Sequence, residues 1–486
     1  MKCILMNKNT PVMSVEFNED FNGFSSIYEV YDIHYAPLSV YNANTDTSKN
    51  LIRKLNAWFT GRGIPRNRKD LDCLLQSFGV RSSEELLNKA YALSLSDQYW
   101  LKEDGSHLEW ENVNFFTNDF AYEAYLEVSL DSGSAIKVPE ENLYSPNNTT
   151  NGMLQKGWII QNGKRILVKG TDSIGREEPV NEWLASRIAE RLGLEHCEYS
   201  VPFSETTGIT SMCENFLCED EEILSAYDVF HTEKKPDSMN DFDFYVHILE
   251  KHHVPDAKRN VAGLFVVDYL TMNEDRHMNN FGVIRNVDTL EWVRTTPIFD
   301  TGLSMQCNEL TEHLDFHKGK CKFFSRTKKD LEEMLSDLGD GILNIPVDSL
   351  NGICEEYFEM LKCYQDVLNL SDVRLTKLVE GLQIRIEMLK ARIYKIECCT
   401  DAPNAETIEA IKAVGRGEVI GPFDSIEALM KELDSPEEDE TLYLSSIPGM
   451  KEKLIDGLKT PIEECVSEEE VQKDWMRSSS LDDSNS

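Results

Sequence analysis

The chain is short of positive charge, of long apolar runs and of glycine-rich phosphate signatures, and each shortage excludes something. Its 486 residues carry 49 Lys and Arg against 86 Asp and Glu, a net charge of −37. Contacts to nucleic-acid phosphates need Lys and Arg, so direct nucleic-acid binding is not expected. An acidic surface instead steers toward basic partners. No run of about 18 apolar residues occurs, so no membrane span is expected. The opening segment Met1–Lys8, MKCILMNK, has too short an apolar stretch for a signal peptide, and a cytoplasmic location follows as the expectation. Twelve cysteines lack a repeating spacing. Neither Cys213/Cys218 nor Cys398/Cys399 builds a paired C-x-x-C zinc pattern, so free thiols are expected, with no disulfide and no zinc. A Walker loop and a regular G-x-G-x-x-G are missing too. Apolar residues nevertheless make up 41%, ample for real cores, and the length suits two or three domains of about 150 residues each.

The most informative stretch is Asn273–Gly282, NEDRHMNNFG, followed by Ile298-Phe299-Asp300-Thr301-Gly302. It supplies Asp275, then Asn280, then Asp300 after a strand-like interval. Phosphoryl transfer uses such a trio: one carboxylate orients or deprotonates the attacking hydroxyl, while an amide oxygen and a second carboxylate hold magnesium. Between them, Phe281–Arg285 and Glu291–Phe299 read as a hairpin around a polar turn. Asp-Arg-His and Asn-Asn are also common turn tokens, so the trio needs support from elsewhere in the chain.

That support lies upstream. Arg165–Gly170, RILVKG, is a β-branched strand ending in Lys169. Such a lysine can pair with nucleotide phosphates if a helical glutamate holds it. The next helix, Glu178–Gly193, opens with acidic residues and an early proline and closes on Gly193. Val180, Leu184, Ile188 and Leu192 form its apolar stripe, and Glu182 lies near its start, where a side chain can face the preceding strand. Alternatively, Glu182 is a surface residue favoured by the helix dipole. Ahead of the strand, Ser145–Trp158 (SPNNTTNGMLQKGW) is rich in turn residues that could lay N–H groups and hydroxyls over phosphates. The helix Ala257–Met272 leads directly into the Asp275 loop. Asp268 within it reads as a hydrogen-bonded or solvated carboxylate rather than a catalytic one.

In this order of parts the chain resembles the HipA-like serine/threonine kinases. The matching pieces are Thr150-Asn151-Gly152 with Lys156, the strand lysine Lys169, Asn181-Glu182-Trp183, the loop Asn273–Gly282, and Phe299–Gly302. The resemblance spans roughly residues 135–395 and implies an α+β, two-lobed protein-kinase-like fold. Domains are expected at 1–127 (a partly helical accessory segment), 128–218 (small lobe), 219–399 (large helical lobe) and 400–486 (an acidic, partly disordered extension). The resemblance implies ATP and Mg2+ as cofactors and a protein Ser or Thr hydroxyl as acceptor. Asp275 would be the base, Asn280 and Asp300 the metal ligands. Lys169, Thr150, Asn151, Gly152, Lys156, Glu182 and Asn280 would contact or support ATP. Met212–Cys218 would lead into the adenine-contacting hinge, and Ser145, Thr149 and Thr150 are unranked candidates for autophosphorylation.

Residues 401–486 hold 22 acidic and 8 basic side chains. Within them Glu406–Leu433 is similar to the toxin-binding tail of RelB-type antitoxins, and Ile447–Trp475 resembles segments of the same families. A toxin or antitoxin partner is therefore entertained. The reading from another class is a catalytically silent kinase fold serving as a binding or antitoxin module through its acidic tail. A small-molecule kinase is a third option, because the site does not fix the acceptor.

Overall fold

The computed structural model describes residues 1–400 except 42–47, 67, 69, 70, 124, 126–138, 150–154 and 206. Thr150, Asn151 and Gly152 lie outside the described residues, as do both antitoxin-like segments of the tail. The described chain is mixed α/β.

It opens with strands β1 (Lys2–Asn7), β2 (Thr10–Asn18) and β3 (Gly23–Val30), which with β4 (Tyr99–Glu103) make an antiparallel sheet in the order β3-β2-β1-β4. The sequence shows no motif here, and the reason is physical. Irregularities at Leu5/Met6, Ser14/Val15 and Glu16/Phe17 break the pairing. Val12 through Val15 are consecutively buried, which erases the period-two alternation of a half-exposed strand. Helix α1 (Ser48–Arg62) covers the sheet, and Phe59 joins Phe17 and Phe24 in an edge-to-face triangle with centroids 5.3–5.6 Å apart. Helices α2 (Leu71–Phe78) and α3 (Ser83–Lys89) follow. Trp100, Trp110, Phe115 and Phe120 then pack as one cluster against Trp158 and Ile160, joining the front sheet to the next one.

That next sheet consists of β5 (Lys156–Gln161), β6 (Lys164–Lys169) and β7 (Ser211–Glu214), all antiparallel. Helix α4 (Glu178–Arg191) lies between β6 and β7 in sequence, and its Val180, Leu184 and Ile188 are fully buried. A third sheet holds β8 (Glu221–Ser225), β9 (Gly282–Asn286) and β10 (Trp292–Thr295), the last two forming the expected hairpin. Helix α5 (Asp241–Lys251) precedes the central helix α6 (Ala257–Thr271), which is buried at every position from Val261 to its end. A short hairpin, β11 (Lys320–Lys322) with β12 (Lys328–Asp330), leads into α7 (Leu331–Leu338). Helix α8 (Ile353–Cys363) begins only after Gly352, whose φ of 83° is left-handed and incompatible with a continuing helix. Helix α9 (Asp372–Thr400) closes the described chain.

Candidate active site

The sheet β5-β6-β7 sets the site by register. Lys156 stands opposite Lys169, and Lys169 opposite Ser211. Residues directly opposite in an antiparallel pair share a face, so two lysines and a serine lie side by side. Two like charges so placed repel, and the surrounding groups answer this with anions. Lys169 Nζ donates to Glu182 Oε1 at 2.5 Å and to Asp300 Oδ1 at 2.9 Å. The other oxygen of Glu182 accepts from the Ser211 hydroxyl. Glu182 therefore points inward at 2% exposure; the surface alternative does not hold. Burial opposes charge on Lys169, but Asp300 and Glu182 outweigh it and hold its ammonium pKa above the ordinary value. Burial opposes charge on Asp300 as well, yet Lys169 and then Lys156 hold its carboxyl below the usual range.

Lys156 is the unbalanced member. It is half-buried, and among the described residues no carboxylate lies within ion-pair distance of it. Burial lowers its pKa to about 8, only partly countered by Asp300. A cation in this position favours an incoming anion, which is the donor set that polyphosphate binding requires. The residues present thus fit a nucleotide triphosphate with its cation.

Asp275 and Asn280 come from the loop after α6. The helix ends on Met272, whose φ of 53° is left-handed and turns the chain sharply. Asp268, fully buried on the last turns, accepts from Arg276 Nε at 2.8 Å, Arg276 Nη2 at 3.0 Å and Asn273 Nδ2 at 2.8 Å. Arg276 Nη1 then donates to the carbonyls of Asn280 (2.7 Å) and Phe299 (2.6 Å). One guanidinium nitrogen thereby ties the Asp275–Asn280 loop to the residue preceding Asp300. Asn273 Oδ1 accepts from the Asp275 N–H at 3.1 Å, fixing the loop's entry. Asn280 turns its nitrogen to the Asp275 carbonyl at 3.4 Å, so its Oδ1 is the end that can meet a cation. The Asp275 carboxylate stays accessible, at 35% side-chain exposure, with Lys322 Nζ on its Oδ1 and His277 Nε2 4.0 Å from its Oδ2. Burial lowers the His277 pKa, with Asp275 and Asp300 pulling the other way.

Asp300 adopts φ 56°, a left-handed conformation that costs a non-glycine residue free energy and is tolerated where surroundings impose it. Asn181, beside Glu182 on α4, supplies the restraint by donating to Gly302 O at 3.0 Å and Ser304 O at 2.9 Å. At Gly302 a Cβ would sit 3.1 Å from that of Glu178, a close approach that favours glycine. Upstream, Ser145 is fully buried and Thr149 half-buried. Asn147 exchanges hydrogen bonds with the Trp158 backbone, while Asn148 Nδ2 donates to Leu86 O (3.0 Å) and Leu143 O (2.7 Å). Within Met212–Cys218, the stretch expected to lead into the hinge, the Phe216 ring lies 5.5 Å from that of Phe299.

Sequence reasoning missed Ser211, which has no motif, and Lys322, 47 positions from Asp275. It saw Arg276 but gave it no task. Among the described residues no cluster of three or more His, Cys, Asp or Glu could hold a metal alone; the candidate pair is one carboxylate and one carboxamide.

Residues 156–336 match the HipA-like kinase family. The HipA-like segment contains Lys156, Lys169, Glu182, Asp275, Asn280 and Asp300 together. No curated protein matches the chain in sequence. Among solved structures, HipA from Shewanella oneidensis MR-1, determined with HipB and operator DNA, superposes with a TM-score of 0.51. It is 16% identical, over 81% of this chain and 99% of that one, so the fold is shared. The proinflammatory kinase CtkA of Helicobacter pylori is 19% identical, over 50% of this chain and 95% of its own, with a TM-score of 0.40. No helix among the described residues is long and apolar enough to cross a membrane.

Proposed function

We propose that the chain is an ATP- and Mg2+-dependent protein kinase that transfers the γ-phosphoryl group to a Ser or Thr hydroxyl. The observation that carries this is Lys169, clamped between helical Glu182 and Asp300 and facing the unbalanced Lys156. Lys169 and Lys156 would take the phosphates, Glu182 would hold Lys169, and Thr150, Asn151 and Gly152 would belong to the covering loop. Asn280 and Asp300 would hold the magnesium ion, which neutralises charge on the phosphates. Asp275 would accept the hydroxyl proton. Arg276 and Asp268 would keep the two halves of the site in register. On nucleotide binding, Asp300 would exchange Lys169 for the metal.

We read residues 128–218 and 219–399 as small and large lobes, with 1–127 as an accessory segment and 400–486 as an acidic extension. By analogy with the Shewanella complex we propose a toxin–antitoxin setting in the cytoplasm. Any operator contact would come from the partner, since a chain of net charge −37 is repelled by phosphate backbones. The test is incubation with γ-labelled ATP, Mg2+ and a protein lysate, followed by identification of the labelled acceptor. Asp275→Asn should abolish labelling while ATP binding by calorimetry persists; equal turnover by the two proteins would refute the assignment.

A further inference from the structure

The catalytic loop is gripped by a hairpin distant in sequence. Lys322 and Lys328 are direct partners across β11 and β12, so both side chains leave the same face. That face meets two consecutive residues of the loop: Lys322 Nζ contacts Asp275 Oδ1, and Lys328 Nζ contacts Glu274 Oε2. The hairpin has little freedom to drift. Cys321 is fully buried and Phe323 nearly so, with the Phe323 ring 4.7 Å from that of Phe265 on α6. Lys322 is itself partly covered, at 27% side-chain exposure.

The charges around the acceptor position make this contact chemically pointed. Lys169 is committed to Glu182 and Asp300, and Arg276 to Asp268 and two carbonyls. Lys322 instead pairs with Asp275, the group that would meet the incoming hydroxyl. A developing phosphoryl transition state spreads negative charge over its equatorial oxygens, and fixed donors aimed there are worth most.

We propose that Lys322 is a catalytic residue whose ammonium stabilises the transferring γ-phosphoryl group. The assignment rests on the kinase reading above. In the step, the hydroxyl oxygen bonds to the γ-phosphorus as the bond to the bridging oxygen breaks, and that electron pair leaves with ADP. The hydroxyl proton passes to Asp275. With three N–H donors, the Lys322 ammonium bridges Asp275 Oδ1 and a non-bridging phosphoryl oxygen as negative charge builds there, and protonation of Asp275 then leaves it on the phosphoryl group. Lys322 keeps its proton throughout. Sequence patterning gives no hint of this, because the lysine in GKCKFF has the look of ordinary surface charge.

The test compares wild type, Lys322→Ala, Lys322→Arg and, as a hairpin control, Lys320→Ala. Lys322→Ala should lower kcat by roughly 10²–10³-fold, the usual cost of one lost transition-state donor, with the KM for ATP unchanged. Lys322→Arg should recover part of the rate, and Lys320→Ala should match wild type. Calorimetry with Mg-ADP, with and without aluminium fluoride, reads the same contact without an acceptor. Wild type should gain affinity with the fluoride complex and Lys322→Ala should lose that gain. A wild-type kcat in Lys322→Ala, or an undiminished fluoride gain, overturns the assignment and leaves the lysine as a holder of Asp275. A wild type that binds Mg-ADP without any fluoride gain also overturns it. A wild type that binds no Mg-ADP overturns the kinase reading itself.

Discussion

Asp268→Ala is the most exposing perturbation of this site, because it touches no substrate. Asp268 and Arg276 are each 0% exposed and share two hydrogen bonds at 2.8 and 3.0 Å. Removing the carboxylate strands a guanidinium in the interior, and breaking a buried pair from one side costs about 3–5 kcal/mol. Unfolding entropy of about 2.1 cal/mol/K per residue over the described residues then converts this into a fall in Tm of roughly 4–6 °C. The double variant Asp268→Leu/Arg276→Met should recover part of that loss, since an apolar pair of similar volume is often no worse than a buried ion pair. It should not recover all of it, because the carbonyls of Asn280 and Phe299 lose the Arg276 donor, at about 1–3 kcal/mol for each acceptor left buried and unpaired. Activity should be lost in both variants, since the tie between the Asp275 loop and Asp300 is gone. Scanning calorimetry measures the Tm values and γ-phosphate transfer measures the activity. A single variant with an unchanged Tm, or a double variant with full turnover, would refute the reasoning.

Other expectations follow from the same geometry. Glu182→Gln removes the charge that holds Lys169 from the helix side, and kcat should fall by about 10²-fold or more, as for loss of one preorganised charge partner; steady-state kinetics check it. Asp300→Asn should abolish the magnesium dependence of nucleotide binding, read by calorimetry with and without the cation. The Lys156 pKa of about 8 sets a pH dependence: the side chain is charged below that pH and neutral above it. A bound phosphate favours the charged form, so ATP affinity should fall as pH rises through 8, with proton uptake on binding; Lys156→Gln should remove the slope. For Asp300, whose carboxyl is held below its usual range, the stabilising pair with Lys169 is present above the ordinary carboxylate pKa and is lost as pH falls toward the depressed value, visible as acid destabilisation that Asp300→Asn lacks.

Much of the candidate site's geometry was legible because its parts are local. Lys169 ends a β-branched strand, Glu182 sits one turn into a well-marked helix, and Asp275 and Asn280 share one loop. The stripe Val180, Leu184, Ile188 predicted the buried face of α4, and it is fully buried. What escaped was set by pairing across distance. Ser211 owes its place to strand register with Lys169, and Lys322 to a hairpin that docks through Cys321 and Phe323. Neither leaves a periodic trace. The opening sheet was hidden for a different reason, since its pairing irregularities put adjacent residues inside together. Asp268 reads in sequence as a hydrogen-bonded or solvated helix carboxylate; it is fully buried and hydrogen-bonded, by a partner, Arg276, that only three dimensions show.

The Asn148 side chain has a wider consequence. Its amide is held by the Leu86 carbonyl of α3 on one side and by the Tyr125 hydroxyl on the other. Both belong to the first 127 residues, whereas Asn148 lies just before the loop that would cover the phosphates. On the proposed kinase reading, a chain that lacked its first 127 residues would lose both of these contacts beside the loop assigned to the phosphates. By the same token, a shift of the front helices would disturb both contacts of Asn148 without approaching Lys169 or Asp300.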